Sequence, residues 1–123
     1  MRQQWQEKRF LTHGAKPARR PVARAGYIDL LEGYNGAMIL PDFIDQAFFD
    51  IPDDIRMVDD IWLSGHFARR GIPIWLPKRL DTAISATNSQ VAPLMTAKFG
   101  ELSRGDLDVA AIRHFQKTYG VWA

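Results

Sequence analysis

Residues 57–77 read MVDDIWLSGHFARRGIPIWLP, and this stretch sets the architecture. Asp59 and Asp60 stand just before an apolar run, so either can cap a helix that continues to about Arg70. Arg69 and Arg70 suit the negative C-terminal end of such a helix, and Gly71 suits the left-handed residue beyond it. The following IPIWL, residues 72–76, has the β-branched and aromatic content of a short buried strand, with Pro73 near its start. A helix followed directly by a strand predicts α/β architecture.

Upstream, YIDLLEGYNGAMIL reads as strand, loop, strand: an apolar stretch from Tyr27, a turn over Gly33 to Gly36, and a second apolar stretch from Ala37 to Leu40. Pro41 ends the second strand, and Asp42 is placed to cap a short helical segment carrying Phe43, Ile44, Ala47 and Phe48, before a turn at DIPDD, residues 50–54. Downstream, residues 81–90 are polar and unpatterned and read as a loop. Asp106 then caps a terminal helix in which Leu107, Ala110, Ala111, His114 and Phe115 share one face, and Gly120 ends it.

The chain has 123 residues, 46% of them hydrophobic, enough for one modest core. It contains no cysteine, which excludes disulfides, thiolate nucleophiles and cysteine-ligated metal centres. No apolar run approaches the roughly 18 residues of a membrane span, and the opening MRQQWQEKRF lacks the apolar stretch of a secretory signal. The expectation is a soluble, cytoplasmic protein, peripheral at most to a membrane. The net charge of +2 conceals a division along the chain: residues 1–25 hold seven Lys and Arg against Glu7, whereas residues 29–60 hold nine acids against Arg56. Residues 1–25 therefore read as a basic, irregular head, in which Pro17 and Pro21 interrupt any amphipathic helix of the transit-peptide kind, and residues 26–123 as the folded domain.

Two segments carry candidate chemistry. Adjacent carboxylates at a helix N-terminus can supply a general base, one held ionised by the helix dipole while the other binds a hydroxyl or a cation; a plain helix cap needs the same residues. In Glu32-Gly33-Tyr34-Asn35-Gly36, the glycines allow backbone to approach a ligand and Tyr34 can stack on a sugar or base; a simple β-turn has the same composition. The segment lacks the Lys-Ser/Thr of a P-loop and the spacing of a dinucleotide fingerprint. His13, His66 and His114 have no paired-ligand spacing, which argues against zinc, but His66 lies two turns beyond Asp59 and can border the same cleft. The head, with Trp5 and Phe10 among its arginines, has the composition of a phosphate-contacting arm and equally of a solvated tail.

Taken together, EGYNGAMILPDFID, VDDIWLSGHFARRGIPIW and AAIRHFQKTYGVW resemble the C-terminal half of GT-A-fold glycosyltransferases related to family 2. The likeness covers about residues 27–80 and a final piece near 106–122, and DDIWLS followed by ARRGI is its most specific part. It implies a partial GT-A-like α/β fold, the acceptor-side part of a nucleotide-sugar transferase, closed by a terminal helix. By position it implies that Asp60 is the base that deprotonates an acceptor hydroxyl in inverting transfer, that Asp59 orients it or touches the acceptor, and that Glu32, Gly33, Tyr34, Asn35 and Gly36 form the acceptor wall. A saccharide acceptor, a nucleotide-sugar donor and a divalent cation, manganese or magnesium, are implied with it, and so is a role in polysaccharide biosynthesis.

The likeness has one gap. The βαβ donor-binding region and the Asp-x-Asp cation motif of such enzymes are missing; the one D-x-D triplet, Asp106-Leu107-Asp108, opens the terminal helix, out of order. The expectation is thus a fragment or split subunit of a hexosyltransferase, inactive until a donor-binding half completes it. Strands taken from a larger sheet would leave an exposed edge, which predicts marginal stability or self-association. The competing reading is a non-enzymatic module that docks phosphate-rich partners through the arginines of the head.

Overall fold

Helix α1, Asp59–Arg69, is the element around which the others are arranged. The computed structural model describes residues 24–31, 33, 36–78 and 98–123. Ahead of α1 come strand β1 (Gly26–Ile28) and three single turns of 3-10 helix, at Pro41–Phe43, Gln46–Phe49 and Asp53–Ile55. Beyond it lie β2 (Ile74–Leu76), the short strands β3 (Lys98–Phe99) and β4 (Leu102–Ser103), and helix α2 (Arg104–Tyr119). Strands β1 and β2 pair antiparallel with Tyr27 opposite Trp75, and β3 pairs antiparallel with β4. Among the described residues the chain is therefore a small mixed α/β protein of two helices and two two-stranded sheets.

The core lies where the helices meet. Ile55, Val58, Ile61 and Trp62 pack against Leu107, Ala111, Ile112, Phe115 and Trp122. Phe115 is fully buried, with its ring 5.1 Å from that of Trp62 and 5.7 Å from that of Trp122. Gly65 permits this approach: a Cβ there would lie 2.4 Å from the Phe115 ring. The Trp62 indole N–H donates to the Phe48 carbonyl at 2.7 Å and ties the 3-10 segment to the helix.

Local signals placed several boundaries. Gly71 and Gly120 adopt φ of +67° and +66°, the left-handed geometry read for the two helix ends. Strand Ile74–Leu76 falls within residues 72–76, and Leu107, Ala111 and Phe115 share the buried face of α2, while Ala110 and His114 sit at its half-buried margin.

Four expectations are corrected. Neither Asp59 nor Asp60 caps α1: Val58, fully buried, is the N-cap with no side-chain cap bond, so the carboxylates occupy the first two helical positions. Burial of Val58 in the core pulls the chain inward one residue earlier than a capping carboxylate would. Helix α2 likewise starts at Arg104, capped by Ser103, and Asp106 is the third helical residue of a reciprocal capping box. Ala37–Leu40 forms no strand; Gly36, at φ +82°, closes a turn onto Gly33 and sends Met38 and Leu40 outward to solvent. Residues 42–48 make two 3-10 turns instead of one helix, because Ile44 and Asp45 are extended where Asp45 reaches Arg69. The loop read over 81–90 lies outside the described residues.

Gly65→Ala is expected to destabilise the fold by roughly 1–3 kcal/mol, since neither a helix backbone nor a buried aromatic ring can yield the missing space cheaply. Urea unfolding followed by tryptophan fluorescence measures this, and an unchanged midpoint contradicts the proposed close packing.

Candidate functional site

Asp60 is the second residue of α1 and is half-buried, its carboxylate accepting a hydrogen bond from the Gly33 backbone N–H. The approach is close enough that a Cβ on residue 33 would lie 2.7 Å from Asp60 Oδ1. One turn along, Ser64 holds the same two segments together. Its hydroxyl donates to the Asp60 carbonyl at 2.7 Å and accepts from the Leu31 N–H at 2.8 Å. The fold therefore brings the acidic pair and the glycine-containing segment into contact across some 27 residues of chain. Gly36 closes the turn at the segment's end; Glu32, Tyr34 and Asn35 lie outside the described residues.

Burial pushes the Asp60 carboxyl above the ordinary carboxylate range, and the charge of exposed Asp59 pushes the same way. The Gly33 N–H and the Arg104 guanidinium oppose the shift. A carboxylate so placed binds a proton more tightly than one in water, as a general base requires.

Two residues of α2 act electrostatically on these surroundings: Arg104, not singled out in the sequence, and Asp108, noted there only as part of the D-x-D triplet. Arg104 Nε lies 3.5 Å from Asp108 Oδ1. Burial raises the Asp108 carboxyl, and the charge of Arg104 opposes it. Their i, i+4 spacing is a legible sign of an ion pair, but nothing local marks its electrostatic link to Asp60.

His66 occupies the core and not a cleft wall: 1% of it is exposed, with the Trp62, Phe115 and Phe48 rings 4.6, 5.2 and 5.7 Å away. It stands about a third of a turn around α1 from Asp60, so the two serve different faces. Arg69 Nε donates to its Nδ1 at 3.0 Å, which puts the imidazole proton on Nε2, and Arg69 also pairs with Asp45 and lies 5.3 Å above the Tyr119 ring. Burial and the neighbouring Arg69 push the His66 pKa down to about 4. It is a neutral structural histidine at pH 7.

The Asp106-x-Asp108 triplet does not fit a cation on a diphosphate. Asp106 accepts from the Ser103 N–H and hydroxyl at 2.8 and 2.6 Å, and Asp108 is committed to Arg104. Among the described residues, no three of His, Asp and Glu are grouped to hold a metal ion. A cavity of about 160 Å³ lies on the same side of α1 as Asp60, further along the helix, lined by Tyr27, Ile28, Asp29, Ser64, Ala68 and Trp122 among others. No described helix is long and apolar enough to cross a membrane.

Comparison with known proteins places no label on this geometry, because the chain matches no known family, no curated protein and no solved structure.

Since the folded pKa of His66 is about 4 against an ordinary 6.5, the unfolded chain takes up a proton first as pH falls. Stability is thus expected to drop between pH 6.5 and 4 by about 3 kcal/mol from this residue, and to be restored as pH rises. His66→Gln should flatten that part of the profile in urea titrations at matched pH. Both proteins carry the same carboxylates, so parallel slopes would assign the pH response elsewhere.

Proposed function

We propose that this chain is the acceptor-side part of a GT-A-type glycosyltransferase related to family 2, with Asp60 as the base. In the reaction, an acceptor hydroxyl oxygen forms a bond to the anomeric carbon of the donor sugar, and the bond from that carbon to the nucleoside diphosphate breaks, its electron pair leaving with the diphosphate. Asp60 takes the hydroxyl proton. A sugar hydroxyl is a poor nucleophile until such a group is positioned to accept that proton.

The observation that carries the reading is the contact between Asp60 and Gly33. It joins at one place two of the three segments on which the resemblance rests, and half-burial raises the proton affinity of the carboxylate, as a base requires. In this reading Asp59, exposed at the first helical position, orients Asp60 or touches the acceptor. The donor nucleotide, with its divalent cation, is assigned to a complementary donor-binding half, since Asp106 and Asp108 are engaged within α2.

Saturation-transfer NMR with a panel of mono- and oligosaccharides tests the acceptor role directly. At least one saccharide is expected to bind, and Asp60→Asn is expected to weaken it about tenfold, the loss of one charge-assisted hydrogen bond. With nucleotide-sugars and manganese, the chain alone should show no transfer. Absence of binding across the panel would overturn the assignment.

A further inference from the structure

The cavity beside α1 is the feature that the acceptor reading leaves unused. Asp60, Ser64 and Ala68 stand at four-residue spacing on one face of α1. The chain from Asp29 to Gly33 follows that face at three points: Asp29 at the cavity, the Leu31 N–H on Ser64, and Gly33 on Asp60. The bridge between Leu31 and Ser64 therefore separates the cavity from the Asp60 site. At about 160 Å³ the cavity has room for one six-membered ring and little more, as a hydrocarbon-lined cavity of that size takes benzene.

Most of its wall is hydrocarbon. Ile28 and Ile74, partners across the β1–β2 ladder, line it together with Ala68 and the buried Trp122. Tyr27, 63% exposed, stands at the open rim with its ring 5.0 Å from that of Trp75. Among the described residues, Asp29 is the one charged residue in the lining. Ser64 already donates its hydroxyl proton to the Asp60 carbonyl, and Pro73 has no N–H to give. The polar side chains of the wall thus offer acceptors, with the Tyr27 hydroxyl as the remaining donor.

We propose that this cavity is a binding site for a small organic cation: an ammonium group carried on an apolar body of about one ring, the body against Ile28, Ile74 and Trp122 and the ammonium donating to the Asp29 carboxylate. Three donors and a positive charge match a carboxylate with an aromatic ring at the rim. A sugar ring, with hydroxyls on all sides, would set several of them against hydrocarbon without partners. An anion would meet the like charge of Asp29. The proposal does not depend on the acceptor reading, since the cavity lies beyond the Ser64 bridge and suits a different class of ligand.

The test is an amide NMR titration of the full chain with three probes of similar size and different charge: benzylammonium, benzyl alcohol and benzoate. Methylammonium, which has the charge without the ring, is the fourth. Benzylammonium is expected to shift the amides of Ile28, Ala68 and Ile74 saturably, with a Kd of about 1 mM for so few atoms. Benzyl alcohol should bind about tenfold more weakly, because it lacks the charge-assisted bond. Benzoate and methylammonium should leave those amides in place. In Asp29→Asn, benzylammonium should fall to the affinity of benzyl alcohol. In Ala68→Leu, which fills the cavity from the helix, binding of both should be lost; should that variant fail to fold, Asp29→Asn decides alone. Absence of saturable shifts with benzylammonium, equal affinity for the alcohol, or a preference for the ammonium that survives Asp29→Asn each overturns the proposal.

Discussion

The approach of Phe115 to Gly65 governs the spacing of the two helices, and the candidate site depends on that spacing. With no side chain at position 65, the ring lies directly against the α1 backbone. Trp62, His66, Tyr119 and Trp122 then complete an aromatic cluster around it. Aromatic rings packed this closely, His66 and Trp122 edge to face with Phe115, have little freedom to slide, so the helices are held in one register. That register sets Leu107 among Val58 and Ile61 and the first turn of α2 beside the acidic start of α1.

Charge is balanced differently at the two ends of α1. At its C-terminal end, Arg69 is matched by Asp45 and bonded to a neutral imidazole, and Arg70 donates to the Asp42 carbonyl at 3.0 Å. These bonds anchor the 3-10 segment to the helix. At the N-terminal end, Asp60 is half-buried beside the charge of exposed Asp59, and burial raises its carboxyl. The first arrangement is closed and suits stability. The second leaves an excess of negative charge in a poorly solvated place, the condition under which a carboxylate becomes a stronger base.

Ser64 connects the core to this site. It is fully buried, yet its hydroxyl bridges the Asp60 carbonyl and the Leu31 amide, so the segment leading to Gly33 is fastened to the face of α1 next to the core. In sequence it reads as an ordinary small helical residue. Its importance comes from a partner 33 residues away.

What could be read from the residues alone was local. Gly71 and Gly120 stop helices because a left-handed residue is needed at those points, IPIWL contains a strand because of its branched and aromatic content, and Leu107, Ala111 and Phe115 share a face because the helical period puts them there. The acidic pair and the glycine segment could be named as candidates, but their meeting could not. The caps were misplaced for the same reason: an aspartate is a good cap anywhere, and burial of Val58 determined where α1 begins. Tertiary packing alone decided that Asp60 touches Gly33 and that His66 is enclosed by rings, since each depends on contacts between segments far apart in the chain, to which local preference is blind.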